Sequence, residues 1–280
     1  DKKDGKSIDI KSLLRKKLTE DEEDCLREFP LEELINEVNK NFSKVRKAIS
    51  VLKDIEIERY EGNYDSGKLQ NKKLYKLPLG KTRIFTRKVG LAPDNKNMAI
   101  AILVDESGSM GHSKAKEACI ATTLLTKALQ IAGKPVLVCG FNAYFRIHKK
   151  WNKKMDIMEM HKCYSNAHGE GSCDNNDGWA VKKITQLLSK RPEKNKILIV
   201  LSDGQPAEGD GKSEEGKPYR SYRLADEAKK AEKVAKVYSV GIQDSSVSRY
   251  YKRWVKVDNV EELAPIMTDF FKKNVGKRIR

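Results

Sequence analysis

Residues 99–111 read AIAILVDESGSMG. An apolar run that starts at Met98 stops abruptly at Asp105, and Glu106, Ser107, Gly108 and Ser109 follow it. A strand with no polar alternation is one buried on both faces. That is the pattern of a parallel sheet covered by helices on each side. The tip of such a strand is where a doubly wound sheet places its ligand site. The acid and the two hydroxyls therefore stand where function is expected.

The chain downstream supports this reading. A helical pattern over 113–133 carries Ala118, Ala121, Thr122, Leu125, Ala128 and Leu129 on one face and ends at a glycine. VLVCGFN (136–142) reads as a second buried strand, and YFRIHKKW as a short edge strand after a tight turn. GWAVKKITQLLSKR (178–191) reads as an amphipathic helix ending before Pro192, and KILIVLSDG (196–204) as a third apolar strand. YRLADEAKKAEKVAK is helical, VYSVGIQ (237–243) and VKVD (255–258) are strands, and EELAPIMTDFFKKN is a closing helix. The expected fold is α/β: a doubly wound, mostly parallel sheet with helices on both faces. DESGS and SDGQP then share one sheet edge, which brings Asp203 toward Asp105.

The first 95 residues differ, and the expected division is a helical, basic extension over 1–95 and an α/β domain over 96–280. In the extension, residues 31–55 read as a helix with a stripe of Leu31, Leu34, Ile35, Val38, Phe42, Val45 and Ile49. Residues 67–90 are basic, with a helix-like start and a strand-like RIFTRKV, and 91–97 have linker composition.

The 280 residues carry a formal net charge of +16, with 39% hydrophobic and 34% charged residues, a globular profile. No apolar run reaches the roughly 20 residues of a membrane helix. DKKDGKSIDI has no signal-peptide core, so the expected location is cytoplasmic with no membrane partner. The five cysteines are scattered, and Cys119 and Cys139 sit in apolar segments, as free thiols do in a reducing compartment. The lysines are mostly interleaved with acids, the pattern of solvated helix faces rather than of a nucleic-acid stripe.

Three chemistries could use the DESGS cluster. Serine nucleophilic catalysis needs a G-x-S-x-G elbow, and Ser107 stands where the first glycine would be. A phosphate would meet Asp105 and Glu106, which repel it unless a metal intervenes. A hard divalent cation suits oxygen ligands from a turning loop, with Asp203 arriving from a neighbouring strand. Mg²⁺, or Mn²⁺ or Ca²⁺, is the expected cofactor. A capping role for Ser109 or Ser113 at the helix start explains neither aspartate.

DESGSM resembles the Asp-x-Ser-x-Ser signature of von Willebrand factor A (vWA) domains, whose metal-ion-dependent adhesion site this motif builds, and the resemblance covers roughly residues 98–280. It implies that Ser107 and Ser109 touch the metal directly, and that Asp105 and Asp203 act through waters. Aligning GWAV with the family's second-loop helix start puts Asn175 where the family usually has threonine, with Asp174 and Asp177 flanking it as possible contributors. Glu106, Met110 and Gln205, beside these loops, are the candidates for partner docking. A cation held mainly by neutral hydroxyls keeps enough charge to attract an acidic side chain from a partner.

Two longer stretches, NNDGWAV…LLSKRPEKNKILIVLSDGQP and DSSVSRYYKRWVKVDNVEELAP, resemble the vWA region of the cobaltochelatase CobT group, as does the basic 67–88 segment upstream. The resemblance implies a non-catalytic subunit working with an AAA+ ATPase of the MoxR or chelatase I-subunit (CobS) type. The chain's own near-matches to a P-loop, 75–82 and 206–213, have Tyr75 and Pro206 in place of the first glycine. Neither leads from an apolar strand into a helix, so no nucleotide site of its own is expected. CobT subunits carry a longer, often acidic N-terminal region, whereas the N-terminal region here is basic. The alternative is an RNA-binding vWA protein of the Ro type using its basic surface; a surface adhesin fits the free thiols poorly.

Two further patterns are open. His161, Cys163, His168 and Cys173 lie close enough in sequence to hold Zn²⁺, though at no common spacing, and the segment also reads as an ordinary loop. Arg249, Tyr250, Tyr251, Lys252, Arg253 and Trp254 interleave bases with aromatics, which suits single-stranded nucleic acid or structure near the last strand.

Overall fold

The computed structural model describes residues 19–50, 56–80, 82–93, 98–169, 175–206, 212–213, 215–263 and 265–266. The central sheet contains β4 (Met98–Asp105), β5 (Val136–Phe141), β6 (Phe145–Lys149), β7 (Asn195–Ser202), β8 (Lys236–Ile242) and β9 (Trp254–Val257). Their spatial order is β6-β5-β4-β7-β8-β9. All neighbouring pairs are parallel except β5–β6, a hairpin that leaves β6 as an antiparallel edge.

Every residue of β4 is buried. Its side chains alternate between two cores, as a strand's period of two requires. Ile100, Ile102 and Val104 pack with α3 (Gly111–Ile131) and α4 (Ile157–Ser165). Ala99, Ala101 and Leu103 face α5 (Asp177–Ser189) and α6 (Leu224–Ala231). Small residues on this second face let Ala180, Ala228 and Ala231 approach the sheet closely. The chain turns from β4 toward β5 on one side and reaches β7 on the other. The carboxyl ends of β4 and β7 thus form the switch point where such sheets bind ligands.

Two N-terminal helices, α1 (Glu20–Glu28) and α2 (Leu31–Ser50), join the first of these cores. Thr19 caps α1 in a reciprocal box with Glu22. The stripe Leu31, Leu34, Val38 and Val45 is buried, with Ile35 and Phe42 packed beside it. Ile49 lies outside the residues whose side chains are described. The extension is not helical throughout. β1 (Glu56–Tyr64), β2 (Lys68–Leu69) and β3 (Phe85–Pro93) form a three-stranded antiparallel sheet in the order β1-β3-β2, with a 3-10 helix over Asn71–Leu79. The helix-like start expected at residue 67 is thus an edge strand followed by that 3-10 turn, and the linker composition of 91–97 is strand up to Pro93. The closing helix starts at Val260, and most of its expected length lies outside the described residues.

Candidate functional site

Asp105 ends β4, and Asp203 follows the last residue of β7. Both are buried, as are Ser107 and Asn175, while Ser109 opens to solvent. Asp105 Oδ1 accepts the Ser107 backbone N–H at 3.0 Å, the tight Asx turn that reverses the chain after the strand. Asp105 Oδ2 accepts the Ser202 hydroxyl at 2.6 Å. The Ser107 and Ser109 hydroxyls lie 3.0 Å apart. Asn175 Nδ2 stands 3.4 Å from both Asp105 Oδ2 and Ser107 Oγ, and 3.5 Å from the Gln205 carbonyl. Asp203 Oδ1 accepts the Gln205 N–H at 3.2 Å. Five sequence-predicted residues therefore converge: Asp105, Ser107, Ser109, Asn175 and Asp203.

Burial, followed by the neighbouring Asp203 carboxylate, lifts Asp105 to about 6. Asn175 Oδ1 is buried with no hydrogen-bond partner. Two buried acids, two hydroxyls and an orphaned amide oxygen, all hard oxygen donors, fit a small divalent cation. Asp105 and Asp203 would balance its charge, Ser107 and Ser109 would supply hydroxyl oxygens, and Asn175 could turn its amide oxygen inward.

Asp177 is buried in the first turn of α5, and Asp174 lies outside the described residues. Gln205 is exposed at the rim, where its amide donates to Asp244 Oδ2 at 3.1 Å. The Ser246 hydroxyl and N–H hold Asp244 down to about 2.

Glu106 and Met110 are corrections. Glu106 is 0% exposed and Met110 1%, so neither offers a docking surface. Glu106 turns inward instead. Its Oε1 lies 2.5 Å from His148 Nε2, and its Oε2 accepts Asn166 Nδ2 at 2.8 Å, with Arg146 Nη1 at 3.6 Å. Cys163 completes the buried group, and burial together with the Glu106 charge pushes its thiol well up. Gly140 on β5 makes room for this carboxylate, since a Cβ there would lie 1.9 Å from Glu106 Oε1. The network braces the loop from behind.

The zinc reading is also corrected. His161 Nε2 lies 2.8 Å from the Phe29 carbonyl, Cys163 faces Glu106, and His168 stacks on His112 at 4.1 Å. These three point to different neighbours, and Cys173 lies outside the described residues. Residues 161–165 of this segment end α4 (Ile157–Ser165), and 166–169 leave it in a turn, as the competing loop expectation has it. In the 249–254 stretch, Tyr251 is buried and Arg253 binds Glu232 through two contacts of 2.7 Å. Those side chains serve the fold. Of the P-loop near-matches, the first lies on the 3-10 helix and its turn as far as Gly80, and most of the second lies outside the described residues.

Two site residues escape a reading by motif. Ser202, which anchors Asp105, immediately precedes the recognised Asp203, and only pairing of the strands makes it an Asp105 partner. Lys114, in the first turn of α3, places Nζ 3.1 Å from Asp203 Oδ2. It reads in sequence as one more surface lysine.

Residues 143–274 match the family model of the cobalamin biosynthesis protein CobT VWA domain, a range that holds Asn175 and Asp203 and begins after the Asp105 loop. Uncharacterized protein YojO of Bacillus subtilis (strain 168) is 27% identical over 239 residues, covering 76% of this chain and 35% of that protein. The chain thus spans about a third of this relative's length. Among solved structures, the vWF domain of the type V pili tip protein Mfa5 from Porphyromonas gingivalis aligns with a TM-score of 0.49 and 11% identity, over 65% of this chain and 97% of that one. The conserved hypothetical protein BatB from Bacteroides thetaiotaomicron aligns with a TM-score of 0.44 and 15% identity, over 64% of this chain and 100% of that one. With the family match over residues 143–274, the parallel sheet and the DESGS loop at its switch point in view, this chain is similar to the vWA domains of the CobT-like group.

Proposed function

We propose that this chain is a non-catalytic docking subunit whose vWA domain binds Mg²⁺, or Mn²⁺ or Ca²⁺, and uses it to capture an acidic side chain of a protein partner. The observation that carries the reading is the gathering of Asp105, Ser107, Ser109 and Asn175, with the Asp203 carboxylate beside Asp105, together with an Asn175 amide whose nitrogen faces Asp105 and Ser107 and whose oxygen has no partner. Because most of those donors are neutral, a bound cation would keep charge to share with an incoming carboxylate. Ser107 and Ser109 contact each other, and the buried His148 is committed to Glu106.

The partner we infer is an AAA+ ATPase of the MoxR or chelatase I-subunit type. The match to the CobT VWA family model supports this reading, in which the chain works in a chelatase-like or metalloenzyme-assembly complex. The test is affinity capture from the native cell, wild type beside Asp105→Ala, in buffer containing Mg²⁺. Mass spectrometry and the 260/280 nm ratio are read on the same eluate. An AAA+ ATPase recovered with wild type and lost with the variant or with EDTA is the expected result. RNA recovered equally with both proteins, and no ATPase, would replace this reading with the basic-surface alternative, whose affinity would fall steeply with salt.

A further inference from the structure

The metal site places two carboxylates, Asp105 and Asp203, in the same water-poor pocket. Lys114 stands against the second of them. Its Nζ lies 3.1 Å from Asp203 Oδ2, and its side chain is 24% exposed where that of Asp203 is 0%. Its placement is otherwise unfavourable, because α3 starts at Gly111 and a cation in the first turn meets the positive end of the helix dipole. The Asp203 carboxylate offsets that penalty.

We propose that Lys114 is a tethered competitor of the divalent cation: its ammonium neutralises Asp203 when the site holds no ion and must withdraw for an ion to bind, so it sets the metal affinity. This rests on the metal-docking reading given above. An ammonium hydrogen-bonded to Asp203 and a divalent ion balanced by the same carboxylate repel each other at short range. The four-carbon stem lets the ammonium leave without moving the backbone. A second acid is at hand, because the Lys114 charge also acts on Asp244 at the solvent-facing rim. The cost of loading the site is then the loss of one partly exposed ion pair, whose charge-assisted bond is modest in worth.

Lys114→Met and Lys114→Gln should therefore bind Mg²⁺ about three- to tenfold more tightly than wild type in calorimetric titration, with Mn²⁺ followed in parallel by electron paramagnetic resonance. Lys114→Arg keeps the charge and should stay within about twofold of wild type. A merely structural role for the lysine would leave the metal affinity unmoved. Thermal melting supplies the second readout. The metal-free Lys114→Met protein should melt below wild type, because Asp203 loses its counter-ion, and saturating Mg²⁺ should close the gap. Affinity unchanged or weakened in Lys114→Met, while Ser107→Ala still abolishes binding, would overturn the Lys114 proposal alone. No Mg²⁺ or Mn²⁺ binding by wild type, with Ser107→Ala indistinguishable from it, would overturn the metal reading and this proposal with it.

Discussion

The Ser202 hydroxyl donates to Asp105 Oδ2 at 2.6 Å, joining the ends of two neighbouring parallel strands across 97 residues of sequence. The same oxygen of Ser202 accepts the Gly204 N–H at 2.9 Å, so one hydroxyl fixes both the Asp105 carboxylate and the start of the Asp203 loop. Gly204 has φ +73°, and a Cβ there would lie 2.3 Å from the Val247 nitrogen, which leaves the loop a single path. Replacing Ser202 with alanine should cost about 1–2 kcal/mol of stability through these two buried partners. It should also weaken Mg²⁺ binding several-fold. Urea unfolding with and without Mg²⁺ checks both effects.

Metal loading should stabilise the fold. With Mg²⁺ at about 100 times its dissociation constant, stability should rise by about 2.7 kcal/mol over the EDTA-treated protein. Ser107→Ala should remove that increment and leave the metal-free melting temperature close to wild type. A melting curve insensitive to Mg²⁺ and EDTA in the wild-type protein would count against the site.

The inward carboxylate of Glu106 makes Gly140 a sensitive position. Gly140→Ala places a methyl group where the carboxylate lies, and strands on both sides of β5 prevent the backbone from yielding. The expected loss is about 3 kcal/mol, at the upper end for overpacking, since a buried charge also leaves His148 and Asn166. Chemical denaturation measures it. A loss below about 0.5 kcal/mol would mean the Glu106 side chain does not sit on Gly140.

Acidification should loosen the N-terminal helices. Burial holds the His161 imidazole below its ordinary value, and burial does the same to His168. The neutral ring suits its setting: Nε2 donates to the Phe29 carbonyl, and Nδ1 accepts from Ser165 at 3.3 Å. Because the folded state takes up its proton at lower pH than the unfolded chain, stability is complete above the ordinary histidine value of about 6.5 and falls as pH drops below it. With the intrinsic pH dependence of amide exchange divided out, the protection of α1 and α2 should therefore fall as pH drops below about 6.5. His161→Gln should flatten this dependence, and an unchanged slope in that variant would exclude His161 as its source.

Much of the α/β domain is legible from one dimension of pattern. MAIAILV and KILIVL have no polar alternation, so each had to be covered on both faces, and the helices between them carry a period that fits the covering role. Because parallel strands end on one edge, Asp105 and Asp203 meet wherever their strands run side by side. Of the small antiparallel sheet only β3 was legible, as RIFTRKV; β1 reads EIERYEGNY with no clean apolar alternation, β2 is two residues long, and a 3-10 helix separates it from β3.

Sequence alone determined the strand-and-helix succession, the acid–hydroxyl loop at the switch point and the resemblance to vWA domains, since all three are local patterns. Only the tertiary structure decided which way each polar side chain turns. Glu106 and Ser107 are adjacent, yet Glu106 enters the protein to meet His148 and Asn166, while Ser107 joins the Asp105 pocket. Lys114 and Ser202 acquire their roles from partners 89 and 97 residues away. A carboxylate or an ammonium is satisfied by whatever lies within about 3 Å in space. That neighbour is set by how the strands pair and the helices pack, which no short stretch of the chain contains.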